Sequence, residues 1–126
     1  FMYLRFNATK DDAEKMFRDF GVTEPTIIGN GNGEKQMVSW NEYYELHKKS
    51  FDNNIEFDEN HYVKESTLDW LPWWTPTKIK KGKAFRLNIL PGKPIRDGGP
   101  TAAAPTGFGI YYDEDTGTIY FCWNYS

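Results

Sequence analysis

The chain has almost no cysteine. Cys122 is the only one in 126 residues, so no disulfide can form within it and a thiolate-built metal site is excluded. Histidine is nearly as scarce: His47 and His61 are the only two, which leaves few bases to activate a nucleophile. No apolar run approaches the roughly 18 residues a membrane-spanning helix needs, and no basic stretch leads into an apolar core as in an export signal. Positive charge is not in excess either. A formal net charge of −3 and a pI near 5.4 argue against general nucleic-acid binding, which asks for a basic balance. The sequence contains no G-x-S-x-G, H-E-x-x-H or phosphate-binding P-loop. Gly29-Asn30-Gly31-Asn32-Gly33 lacks the third-glycine spacing and the following long βαβ unit of a dinucleotide site.

What is present is aromatic. Hydrophobic residues make up 39% of the chain and aromatics 17%, so burial depends on large rings, each removing roughly 150–250 Å² from water. The length fits one domain, spanning 1–126, with a single core.

Local patterns give a fold. The β-prone opening FMYLRF runs into Thr9, which can cap a helix with Asp12 three residues on; Ala13, Met16, Phe17 and Phe20 recur at helical spacing before Gly21. Thr26 to Gln36 reads as a short strand entering a Gly/Asn turn. A second capping box, Ser39 with Glu42, begins a helix over about 40–50 whose stripe is Trp40, Tyr43, Tyr44 and His47, ending at Asp52-Asn53-Asn54. Ile55 to Lys64 is extended, and KAFRLNIL places Phe85, Leu87 and Ile89 on one strand face and Arg86 and Asn88 on the other. Residues 91–107 hold four prolines and four glycines in 17 positions, which makes them a loop. The ending FGIYYDEDTGTIYFCWNYS is a hairpin turning at 113–117 with Gly117 left-handed; rings on both of its faces place it centrally in a sheet. The expectation is an α+β domain: an N-terminal strand and two amphipathic helices packed on an antiparallel sheet that ends in a C-terminal β-hairpin.

Two features remain for function. The first is LDWLPWWTP, residues 68–76. A short helix capped by Ser66 or Asp69 would set Trp70 and Trp74 one turn apart and turn Trp73 aside; two of the three indoles then seal the core and Trp73 stays outside. The second is charge asymmetry. Residues 1–65 carry a balance of −5 and residues 66–126 a balance of +2; residues 78–96 hold seven Lys or Arg and no acid. Such runs are ordinarily solvated faces, but a basic run beside an exposed indole and a Gly/Pro loop also describes a protein-binding surface. The expected contact set is Trp73, Lys78, Lys80, Lys81, Lys83, Arg86, Lys93, Arg96 and Asp97. An alternative acidic face comprises Asp52, Glu56, Asp58 and Glu59, suited to a basic partner.

Catalytic readings are weaker. Cys122 falls mid-strand among bulky neighbours, where thiols are packed and inert, and His47 falls on the aromatic helix stripe. Asp113, Asp115 and Gly117 imitate the start of a calcium loop but lack its register and its distant Glu. Asp58, Glu59 and His61 are an ordinary solvated cluster. No catalytic, cofactor or metal residue is assigned.

The order of parts, LRFNATKDD at the start, WLPWWTP at the centre and YYDEDTGTIYF at the end, resembles small bacterial exported or lipoprotein-type α+β domains of unassigned activity, immunity-protein-like in type. The resemblance implies a periplasmic or membrane-anchored setting over a cytoplasmic one. It also implies action by binding, as an inhibitor or immunity protein that neutralises a secreted toxin or effector. The alternatives are a glycan-binding module with Trp73 and Trp74 as its platform, and a small hydrolase acting through clustered carboxylates.

Overall fold

A computed structural model describes residues 2–29, 35–52, 62–89 and 106–124. In chain order the elements are β1 (Met2–Asn7), α1 (Lys10–Asp19), β2 (Thr26–Ile28), β3 (Gln36–Ser39), α2 (Trp40–Asp52), β4 (Tyr62–Glu65), a 3₁₀ turn (Pro76–Lys78), β5 (Gly82–Ile89), β6 (Thr106–Asp113) and β7 (Thr118–Asn124). The architecture is α+β. Five strands form one antiparallel sheet in the order β1-β7-β6-β5-β2, so the C-terminal hairpin sits at its centre as its two ring-bearing faces require.

Both helix starts follow from their caps. The Thr9 side chain accepts from the Asp12 N–H at 3.2 Å and α1 begins at once; past its end Gly21 takes φ +76°. At α2 the box is reciprocal: Ser39 N–H donates to Glu42 Oε2 at 3.0 Å, and Glu42 N–H donates to Ser39 Oγ at 3.2 Å. Helix α2 is kinked at His47, where φ and ψ are −116° and 16°. Between β6 and β7 the turn closes with Gly117 at φ +65°, a conformation an L side chain rarely adopts.

The sheet separates two cores. On one face Ile110, Tyr112, Ile119 and Phe121 pack with Ala13 and Phe17 of α1 and with Val22, and Phe20 adds ring contacts to Phe108 and Phe121. On the other, Ala84, Tyr111, Tyr120 and Cys122 meet Ile28, Met37, Val63, Trp74 and Ile79. Met37 and Val63 come from an element absent from the sequence expectation, a two-stranded parallel sheet of β3 and β4 in which Met37 faces Val63 and Ser39 faces Glu65. Helix α2 is fastened to it by Lys64, whose Nζ lies 5.1 Å from the Trp40 ring and 4.9 Å from the Tyr43 ring.

The expected short helix over 70–74 is not formed. Leu71 N–H reaches Leu68 O and Trp74 N–H reaches Leu71 O, giving two successive turns. Pro72 and Pro76 account for this, since a residue that precedes proline is pushed out of the helical region. One indole rather than two is sealed: Trp74 is 3% exposed, whereas Trp70 is 62% and Trp73 38% exposed.

A candidate recognition edge

The two turns set the three indoles. Trp74 enters the core and meets Tyr3, Tyr120 and Tyr111 edge-on, with ring centroids 4.8, 5.7 and 6.2 Å away. Thr75 and Tyr120 share a hydroxyl hydrogen bond of 3.0 Å that holds the following residue in place. With Trp74 inserted, Trp70 lies against Tyr3 at 5.9 Å and Trp73 against Trp74 at 6.3 Å, both on the outside.

Trp73 then forms one wall of an open groove of about 560 Å³ whose other lining is Tyr3, Leu4, Arg5, Phe6 and Asn7. Five consecutive strand residues line a groove only when it runs along the strand, and among the described residues β1 pairs with β7 alone. The groove therefore follows the outer edge of the described sheet. Arg5 donates from Nη1 to the Trp73 carbonyl at 3.4 Å, and its guanidinium lies 5.7 Å from the Tyr120 ring centroid. On the opposite face of the same strand Met2, Leu4 and Phe6 are exposed, with Trp123 exposed beside Met2 in register.

The described residues of the basic run, Lys78 to Arg86, point in different directions. Lys78 and Lys80 are exposed near the 3₁₀ turn. Lys81 pairs with Glu114 at 3.7 Å and Lys83 with Glu14 of α1 at 3.4 Å. Arg86 points to the other face of β5, into the core. Lys93, Arg96 and Asp97 lie outside the described residues, as do Glu56, Asp58 and Glu59, while Asp52 closes α2. Of the expected contact set, Trp73, Lys78, Lys80 and Lys81 are exposed on the chain between β4 and β5.

A polar cluster that sequence reading missed lies beneath Trp74. Glu65 is buried, and its Oε2 accepts from the Tyr111 hydroxyl and lies 3.6 Å from Arg86 Nη1; its Oε1 accepts from the Ser66 N–H at 2.9 Å. Arg86 Nη1 also donates to Cys122 Sγ at 2.7 Å. Burial pushes the Glu65 carboxyl up to about 7, with the Arg86 charge and the Ser66 N–H pulling the other way. Burial, aided by the Glu65 charge, pushes the Cys122 thiol up to about 12 against the opposing pull of Arg86. No spacing marks these four residues, because they come from four strands. They form a closed network tying β4 to the main sheet.

Among the described residues no carboxylate lines the β1 groove. Among the described residues no three of His, Cys, Asp and Glu gather as a metal site, and no helix is long and apolar enough to cross a membrane. No protein-family model, curated protein or solved structure matches the chain.

Proposed function

We propose that this α+β domain is a non-enzymatic protein-recognition module, in the form of an inhibitor or immunity protein directed at a secreted bacterial toxin or effector. The observation that carries the reading is the convergence of Trp70, Trp73 and the groove along β1, an aromatic wall beside an open sheet edge. Trp and Arg are the residues that dominate binding energy at protein interfaces. The inhibitor form rests on the sequence resemblance.

The test is photo-crosslinking capture with a reactive residue at position 78, followed by affinity measurement on the captured protein. Trp70→Ala with Trp73→Ala should weaken binding by about tenfold or more, the loss of at least 1.4 kcal/mol. A saturable shift in tryptophan fluorescence on adding soluble cell-wall fragments, with no protein captured, would instead establish the glycan-binding reading.

A further inference from the structure

The two edges of the main sheet are unlike. β2 has three residues and follows Pro25, so little of its backbone is offered to another strand. β1 has six, pairs with β7 without a bulge from Met2 through Asn7, and contains neither proline nor lysine. Natural sheets ordinarily blunt a long edge with bulges, prolines or charged side chains, because its outward N–H and C=O groups accept a further strand, and β1 carries one such charge, Arg5. Here the outward side of β1 is instead the groove, walled by Trp73.

We infer that the partner enters this groove as an extended segment, hydrogen-bonding along β1 as a sixth strand, with apolar side chains at alternate positions and an acidic one facing Arg5. This deepens the protein-recognition reading and rests on it. Strand addition draws affinity from main-chain hydrogen bonds and selectivity from alternate side chains. On one face the incoming segment continues the row of Met2, Leu4 and Phe6, which are exposed and apolar, so its residues on that face must be apolar too. On the other face it meets Tyr3 and Arg5 beside Trp73. Among the described residues Arg5 is the only charged one lining the groove, and its guanidinium is already placed by Tyr120 and the Trp73 carbonyl. An Asp or Glu opposite it makes a charge-assisted bond.

Charge also decides against a second copy of this chain. Antiparallel self-pairing centred on Leu4 sets Met2 opposite Phe6 and Tyr3 opposite Arg5, which brings the two Arg5 residues onto one face as diagonal neighbours, roughly 7–8 Å apart. Centring on Arg5 sets them directly opposite. An acidic segment removes that repulsion.

The experiment selects a displayed library of random linear peptides on the full chain, then measures the selected peptides in solution. Enriched sequences should alternate apolar residues with Asp or Glu. Bound peptide should slow hydrogen exchange of β1 amides, and N-methylation at alternate peptide positions should abolish binding in one parity and spare it in the other. Arg5→Glu should weaken binding by about tenfold or more, and Lys in place of the peptide acid should restore it; Arg5→Gln, with unchanged thermal midpoint, controls for folding. Four results overturn the inference: no selected binders, peptides that protect amides elsewhere, peptides indifferent to Arg5→Glu, or a concentration-dependent dimer abolished by Leu4→Lys. The recognition reading would survive any of them if the crosslinked partner still weakens with Trp70→Ala and Trp73→Ala, so the two fail separately.

Discussion

Glu65 is a carboxyl held where its charge is poorly solvated. Its folded-state value of about 7 lies above the ordinary 4.5, so the folded chain binds the proton more tightly than the unfolded chain. The stability it contributes is therefore complete below about pH 4.5 and is lost as pH rises through about 7. The span corresponds to roughly 3 kcal/mol at most. Urea midpoints measured from pH 4.5 to 8 should fall across this window, and Glu65→Gln, which cannot ionise and keeps one acceptor oxygen in place of the two that serve Tyr111 and Ser66, should be less stable at low pH but flatten the fall. A decline of equal size in the variant would assign it to other groups. Cys122, on the same Arg86, is buried and has its thiol pushed up to about 12. It should therefore react with a thiol reagent at pH 8 only as fast as the sheet opens, and at the free-thiol rate once denatured.

Elements whose signals are local were legible in the residue order, and those made by distant pairing were not. Thr9 with Asp12 and Ser39 with Glu42 mark helix starts because the donors and acceptors lie three residues apart, and both helices begin there. Ser39→Ala should accordingly cost about 1 kcal/mol by chemical denaturation. The parallel pairing of β3 and β4 left no such mark: each strand has four residues, and nothing within either says that the other is its neighbour. The helix expected over 70–74 failed for a local reason that was in view, two prolines, which outweighed the capping residues. Gly109 shows the same limit from the other side. It stands opposite Cys122 and Arg86, and a β-carbon there would meet the Tyr111 ring at 2.7 Å. Tyr111 cannot yield cheaply, since its hydroxyl is tied to Glu65. Gly109→Ala should destabilise the fold by about 1–3 kcal/mol through overpacking, with a lowered thermal midpoint as the readout. In the sequence Gly109 reads only as one glycine in a strand.

At the scale of the molecule, the sheet is a wall with α1 on one side and the β3–β4 pair, Trp74 and Ile79 on the other. Which indole would plug the second side was not legible, because it depends on Tyr3 of β1 and on Tyr111 and Tyr120 of the C-terminal hairpin, all far from Trp74 in sequence. The basic run dispersed for a related reason: alternation along β5 sends Lys83 toward α1 and Arg86 toward Glu65. That arrangement separates the three indoles energetically. Trp74→Ala empties a site closed by three rings and should cost about 3–5 kcal/mol. Trp70→Ala removes a ring that is 62% exposed, and a surface change of that kind should stay within about 1 kcal/mol. If instead Trp70→Ala lowered stability as much as Trp74→Ala, the outer indoles would belong to the core and the recognition edge would lose its wall. Acrylamide quenching gives the same contrast without a partner. The wild-type emission should contain an accessible fraction from Trp70, Trp73 and Trp123 and a protected one from Trp74, so that Trp70→Ala and Trp73→Ala together remove quenchable intensity while leaving the protected fraction in place.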